Sequence, residues 1–248
     1  MKKYLIIVNW RTFVALAITS LTTHFTLVKN FQYNFDLTMI SIAIIFPLVF
    51  TIKSAFRRRE KAIEHLAKFK SGLITVNACL QSQSKISDED KNKIRDTIYN
   101  ISKYLIEYLG PEHTTLETVR KEAAKISDYI KERSKSMKFN ASLKIQGFMR
   151  DVLLGIENSA GIKEHRTPAS IRAYCLVFIY LYPIIYVPSV YFRLLDGNSQ
   201  SSPWLLYTLA LISTFVLISL FNVQEQLENP FDQDGVDDVK LEMFDLNE

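Results

Sequence analysis

The sequence predicts an all-α membrane protein: four membrane-spanning helices, with a bundle of charged amphipathic helices between the second and the third. Three observations carry this. Hydrophobic residues make up 48% of the 248, and they are gathered into four blocks instead of being spread along the chain. Residues 57–168, between blocks two and three, are charged, with apolar residues at three- and four-residue spacing. No strand-like alternation of any length occurs. The expected organisation is residues 1–56 for spans one and two, 57–168 for the cytoplasmic helical region, 169–222 for spans three and four, and 223–248 for an acidic cytoplasmic tail. The net charge of +4 is mild and gives no reason to expect a nucleic-acid partner.

A spanning helix needs ~20 mostly apolar residues at ~1.5 Å rise each. Residues 13–27 are the shortest block, and reach that length if extended back over residues 4–10, with Arg11 as an interruption. Residues 37–56, LTMISIAIIFPLVFTIKSAF, form the second and run straight into Arg57-Arg58-Arg59-Glu60. Residues 174–192 and 204–222 are the third and fourth. Lys2-Lys3 precede the first block, but Arg11 splits it and no small-residue cleavage site follows, so it reads as retained and not as a signal peptide. Charge then sets orientation. The short loops 28–36 and 193–203 hold only Lys29, Asp36, Arg193 and Asp196, whereas Lys2, Lys3, Arg11, Lys53, Arg57, Arg58, Arg59, Lys61, Lys163, Arg166 and Arg172 lie at the opposite ends. By the positive-inside rule both termini and the middle region are cytoplasmic.

In the middle region the second helix is expected to continue through Glu64, Leu66 and Phe69 to about Ala78. A polar joint, Gln81-Ser82-Gln83-Ser84, follows, and Ser87 with Asp90 reads as a capping box. Ile94, Ile98, Ile101, Leu105 and Tyr108 are the inward face of the next helix, which Gly110-Pro111 ends. Thr114 with Glu117 caps another, with Leu116, Val119, Ala123, Ile126 and Ile130 inward. A last amphipathic helix runs from about Ala141 to Asn158.

Little in the chain suggests catalysis. His24 lies in a span, His65 and His113 are solitary, and His165 sits between Glu164 and Arg166; no Gly-rich phosphate loop exists among seven scattered glycines. Cys79 and Cys175 form no CxxC, no zinc spacing and no disulfide framework. We therefore expect no enzyme and no required cofactor. The tail is more informative: Asp232, Asp234, Asp237 and Asp238 follow Gln226-Leu227-Glu228-Asn229-Pro230-Phe231, and clustered carboxylates suit a hard cation such as calcium, though the spacing is not that of an EF-hand loop. A solvated acidic tail is the other reading.

These residues carry a resemblance. The fourth span running into QEQLENPF and then DQDGVDD resembles the tail of bestrophins, in which Asn-Pro-Phe precedes an acidic stretch. His165-Arg166-Thr167-Pro168 resembles the Thr-Pro entry to the third span of bacterial members, and Phe46-Pro47 with Phe50 in the second span, followed by an Arg-rich turn, is a looser match. The resemblance implies a homopentameric ion channel whose second span forms an apolar neck above a cytoplasmic vestibule. It also implies a second constriction within 148–156, with Val152 and Ile156 as candidates, and a calcium clasp using backbone carbonyls at Gln226 and Asn229 and carboxylates at Asp234 and Asp237. The departure is at the turn after the second span, where the family's aromatic-rich, Trp-containing stretch is replaced by Arg57-Arg58-Arg59-Glu60.

Ile42, Phe46, Val49 or Phe50, Lys53 and Arg57 fall on one helical stripe. Around an axis these give apolar rings at Ile42, Phe46 and Phe50, able to gate by dewetting, above basic rings at Lys53 and Arg57 that favour anions at the inner mouth. The bland alternative is that the phenylalanines pack on neighbouring helices and Lys53 snorkels. The expected function is passive conduction of chloride or a similar small anion, with the chain itself, the lipid bilayer and small inorganic ions as partners. A cation-conducting channel and a non-conducting membrane scaffold that binds a cytoplasmic partner are the alternatives. The expected location, from the lack of an organelle-type presequence, is a bacterial inner membrane.

Overall fold

A computed structural model of the chain describes residues 7–111, 114–133, 139–196, 202–235 and 237–246. The basic start at Lys2 and Lys3, part of the backward extension over 4–10, and His113 lie outside these residues. Among the described residues the secondary structure is helical throughout: α1 (Trp10–Lys29), α2 (Leu37–Gln81), α3 (Asp88–Leu109), α4 (Leu116–Arg133), α5 (Phe139–Glu164), α6 (Ala169–Asp196), α7 (Pro203–Leu227) and a closing 3-10 turn, Leu241–Phe244. The chain divides into two compact units, one of Met1–Phe56 with Thr167–Glu228, the other of Arg57–Arg166 with Asn229–Glu248.

Among the described residues, four helices are long and apolar enough to cross a membrane, and the first unit holds them: α1, the first part of α2, α6 and α7. Helix α1 differs from expectation at both ends. It starts at Trp10 with Arg11 in its first turn, because the Asn9 side chain accepts from the Arg11 and Thr12 N–H groups while Thr12 returns the bond to the Asn9 backbone. The missing length is gained at the other end, where α1 runs on to Lys29 and stops at Asn30 in the left-handed conformation. Its buried face is threonine-rich: Thr12, Thr19, Thr23 and Thr26, with Ala15. Thr19 and Thr23 return their hydroxyls to carbonyls one turn back, and Thr19 also bonds Thr214 of α7 at 3.0 Å. Small side chains let α1 approach α6 and α7 closely, which is how helices pack where lipid supplies no hydrophobic drive. Ile44 and Leu48 of α2 join Cys175, Ile179, Ile218 and Phe221 in the small apolar core.

The second unit is a water-type bundle. Ala62, Leu66, Phe69, Leu73, Val76 and Leu80 of α2 are buried with the inward faces of α3, α4 and α5. The stripe of α3 is buried as its spacing predicts, and Ser87 accepts from the Asp90 N–H. The α4 cap is shifted by one residue. Thr115, not Thr114, accepts from Thr118 N–H, because the Thr114 hydroxyl is used by Glu107 at 2.8 Å. Helix α5 runs beyond Asn158 to Glu164. There Lys163 lies over the Tyr108 ring and donates to the Tyr108 carbonyl at the end of α3. Burial lowers the Lys163 pKa and pushes that of Tyr108, which also donates to Glu164, up to about 12.

Helices α2 and α5 cross with almost no space between them. A Cβ on Gly155 would sit 2.6 Å from Phe69 Cβ and 3.0 Å from the His65 carbonyl, and one on Gly72 would sit 2.9 Å from Val152. The tail then straps the bundle. Phe231, Val239 and Leu241 are buried in it, Ser102 bonds Leu246 N–H, and Lys70 donates to the carbonyls of Met243 and Asp245.

Candidate functional site

Within the first unit, α2 has one packed face and one bare face. Ile44, Leu48, Thr51 and Ala55 are buried, whereas Ile42 (55% exposed), Phe46 (62%) and Phe50 (55%) are not. The phenylalanine rings meet edge-on, 4.6 Å apart at 84°, a favourable aromatic arrangement. Pro47 lies inside α2 without ending it. It supplies no N–H for the Ala43 carbonyl, and the Tyr174 hydroxyl of α6 approaches that oxygen at 3.4 Å. Phe46, Pro47 and Phe50 line an apolar cleft of about 640 Å³ whose other wall is the start of α6, Thr167, Pro168, Ile171 and Tyr174. Lys53, in the first unit, and Arg57, the first residue of the second, are both exposed.

The remaining arginines of the basic block are structural. Arg58 donates to the carbonyls of Ile162 (2.6 Å) and His165, at the end of α5, and Arg59 donates to the Asp237 carbonyl of the tail. A cation at a helix C-terminus satisfies carbonyls that have no helical partner.

Val152 and Ile156 are not on a surface. Both are fully buried in the α2–α5 crossing, where a small clearance needs a compact apolar filling. Both belong to the packed crossing within this subunit, and the second constriction rests on the resemblance alone. Among the described residues, the exposed apolar ones of the same helix are Leu143, Leu153 and Leu154. The 3.6-residue period alone does not say which of two apolar stripes on α5 faces inward.

In the tail, Asn229 is half-buried and Asp234 and Asp237 are exposed, while Gln226 belongs to the first unit on α7. The inward carboxylates are a different pair. Asp238 accepts from Gly235 N–H at 2.7 Å, and burial together with the adjacent Asp232 carboxyl pushes its pKa up to about 6. Gln233 makes the turn at φ 63° and its side chain donates to the Val239 carbonyl. Among the described residues no group of three or more His, Cys, Asp or Glu side chains is placed to hold a metal ion.

One polar group escaped the sequence reading. Glu228, buried in the first unit, accepts from Thr167 N–H and from Gln224, with Arg172 close by. Gln224 is one turn away, but Thr167 and Arg172 lie about sixty residues away, at the start of α6, so no local pattern announces them.

No protein-family profile and no curated protein matches the chain. Solved structures do. A bacterial bestrophin homologue from Klebsiella pneumoniae has a TM-score of 0.76 at 12% identity, over 95% of this chain and 93% of that one. Two point variants of the homologue each give 0.74, at 12% identity over 97% and 94%, and at 13% over 97% and 96%. The chain is therefore bestrophin-like in fold over nearly its whole length: an all-α membrane protein with four spanning helices.

Proposed function

We propose that this chain is the subunit of a homopentameric channel of the bestrophin family that passes chloride or a similar small anion. The observation that carries the reading is the bare face of α2: Ile42, Phe46 and Phe50 turned away from their own subunit in a spanning helix of bestrophin fold, on the stripe that leads to Lys53 and Arg57. Around an axis, apolar rings would form a neck that admits ions only when wetted, and basic side chains beyond it would raise the local anion concentration. Conduction in this account uses no metal. Asp234, Asp237 and the carbonyls of Gln226 and Asn229 stand as the proposed calcium positions on the resemblance of the tail alone. The second unit and both termini are assigned to the cytoplasmic side by charge placement, and the membrane to a bacterial inner membrane.

The mass of the purified protein in mild detergent tests assembly: a pentamer supports the channel, and a monomer or dimer supports a scaffold. The sign of selectivity is tested separately. Lys53→Glu should move the reversal potential of a salt gradient toward cations; an unmoved potential removes Lys53 from the path. A wild-type reversal potential on the cation side would give the channel the opposite selectivity.

A further inference from the structure

The first turn of α6 and the last turn of α7 meet at polar side chains that the proposed pore does not use. Glu228 is 2% exposed, and Gln224, one turn earlier, is fully buried. The carboxylate accepts from Thr167 N–H at 2.6 Å through Oε1 and from Gln224 Nε2 at 2.6 Å through Oε2. Arg172 Nε lies 3.9 Å from Oε2, beyond hydrogen-bond reach. Each of these three neighbours keeps one buried polar atom without a protein partner: Thr167 Oγ1, Gln224 Oε1 and Arg172 Nε. Buried polar atoms are almost always satisfied, so three around one carboxylate require an explanation.

Their chemistry selects the ligand. Gln224 Oε1 only accepts, Arg172 Nε only donates, and a hydroxyl does either. A metal cation would suit the glutamine oxygen but be opposed by the guanidinium. An anion would suit the guanidinium but be opposed by Glu228. Water donates twice and accepts as well, and matches all three.

We propose that a resident water molecule bridges Thr167 Oγ1, Gln224 Oε1 and Arg172 Nε beside Glu228, and that water and carboxylate together latch the start of α6 to the end of α7. The latch has a position of consequence, because Thr167, Pro168 and Ile171 also form the wall of the cleft beside Phe46 and Phe50. Its bearing on conduction rests on the proposed channel; the latch itself rests only on these contacts.

The test is the thermal midpoint of the full-length protein in detergent, with Thr167→Val made in the parent and in Gln224→Met. Thr167→Val keeps the N–H that bonds Glu228 and deletes only the hydroxyl. If water bridges the two side chains, Thr167→Val lowers the midpoint by about 3 °C in the parent and leaves it unchanged in Gln224→Met, where the bridge is already gone. Thr167→Ser, which retains the hydroxyl, keeps the parental midpoint. Equal losses in both backgrounds, or no loss in the parent, overturn the bridge. So does an experimental structure at water-resolving resolution without density within hydrogen-bond distance of the three atoms. Should the protein be silent in bilayers, the channel reading fails while these midpoints still decide the latch.

Discussion

The two units are built inside out with respect to each other. In the first, threonines and amides turn inward: Thr19, Thr214, Asn222 and Gln224 are buried, while Leu21 is 71% exposed. In the second, Leu66, Phe69, Ile98 and Ile126 are inward and the lysines and glutamates face out. Helix α2 passes through both regimes without a break, with Phe46 bare in its first part and Phe69 fully buried in its second. The difference is one of solvent. Against lipid an outward leucine costs nothing, and helices associate through close packing and hydrogen bonds. In water the same association comes from removing apolar area.

Substitutions that ask the wrong question of each unit should separate them. Phe69→Ala should cost about 4 kcal/mol, because it opens a cavity at the close α2–α5 crossing. Leu21→Ala, in the first unit, should leave the thermal midpoint in detergent nearly unchanged. Comparable losses from both would erase the comparison. Asn222→Leu has the opposite logic: it adds apolar volume to a membrane-type core, yet should cost about 2 kcal/mol, because Asn9 Nδ2, Thr12 Oγ1 and the Ile7 carbonyl each lose a partner. A neutral or stabilised Asn222→Leu would mean that polar contacts do not hold that unit together.

A smaller effect belongs to the acidic loop of the second unit. The Asp238 carboxyl is raised to about 6, so between pH ~4 and ~6 the folded chain keeps a proton that the unfolded chain has released. That contribution is present at low pH and lost as pH rises through about 6. Asp238→Asn keeps an acceptor for Gly235 N–H and can donate to Asp232. Allowing for the loop's partial exposure, it should be more stable than the parent by about 1 kcal/mol at pH 8, with the gap closing near pH 4. Unfolding curves at the two pH values decide this, and a gap independent of pH would show that the carboxyl is not titrating there.

The inside-out contrast also explains what was legible beforehand. Four apolar blocks and the helical spacing of Ile94, Ile98, Ile101, Leu105 and Tyr108 report solvent directly, so spans and bundle faces followed from them. The Asn-Pro-Phe tail pointed to the bestrophin fold, and the structural likeness bears that out. Features that depend on a distant partner were not legible. Thr114 and Thr115 are equivalent as caps until Glu107 takes one of them. Val152 and Leu153 are equally apolar until α2 closes over the first. Arg58 and Arg59 look like further charges of the basic block until the end of α5 and the tail claim them.

The bare face of α2 is where the account stands or falls. Single-channel recording of the purified protein in planar bilayers, with Phe46→Ala and Phe50→Ala beside the parent, addresses it most directly. The account predicts currents from the parent and a changed unitary conductance or open probability in both variants, with assembly intact, since neither ring supports its own subunit's core. A well-folded pentamer that stays silent, or currents indifferent to both substitutions, would contradict it.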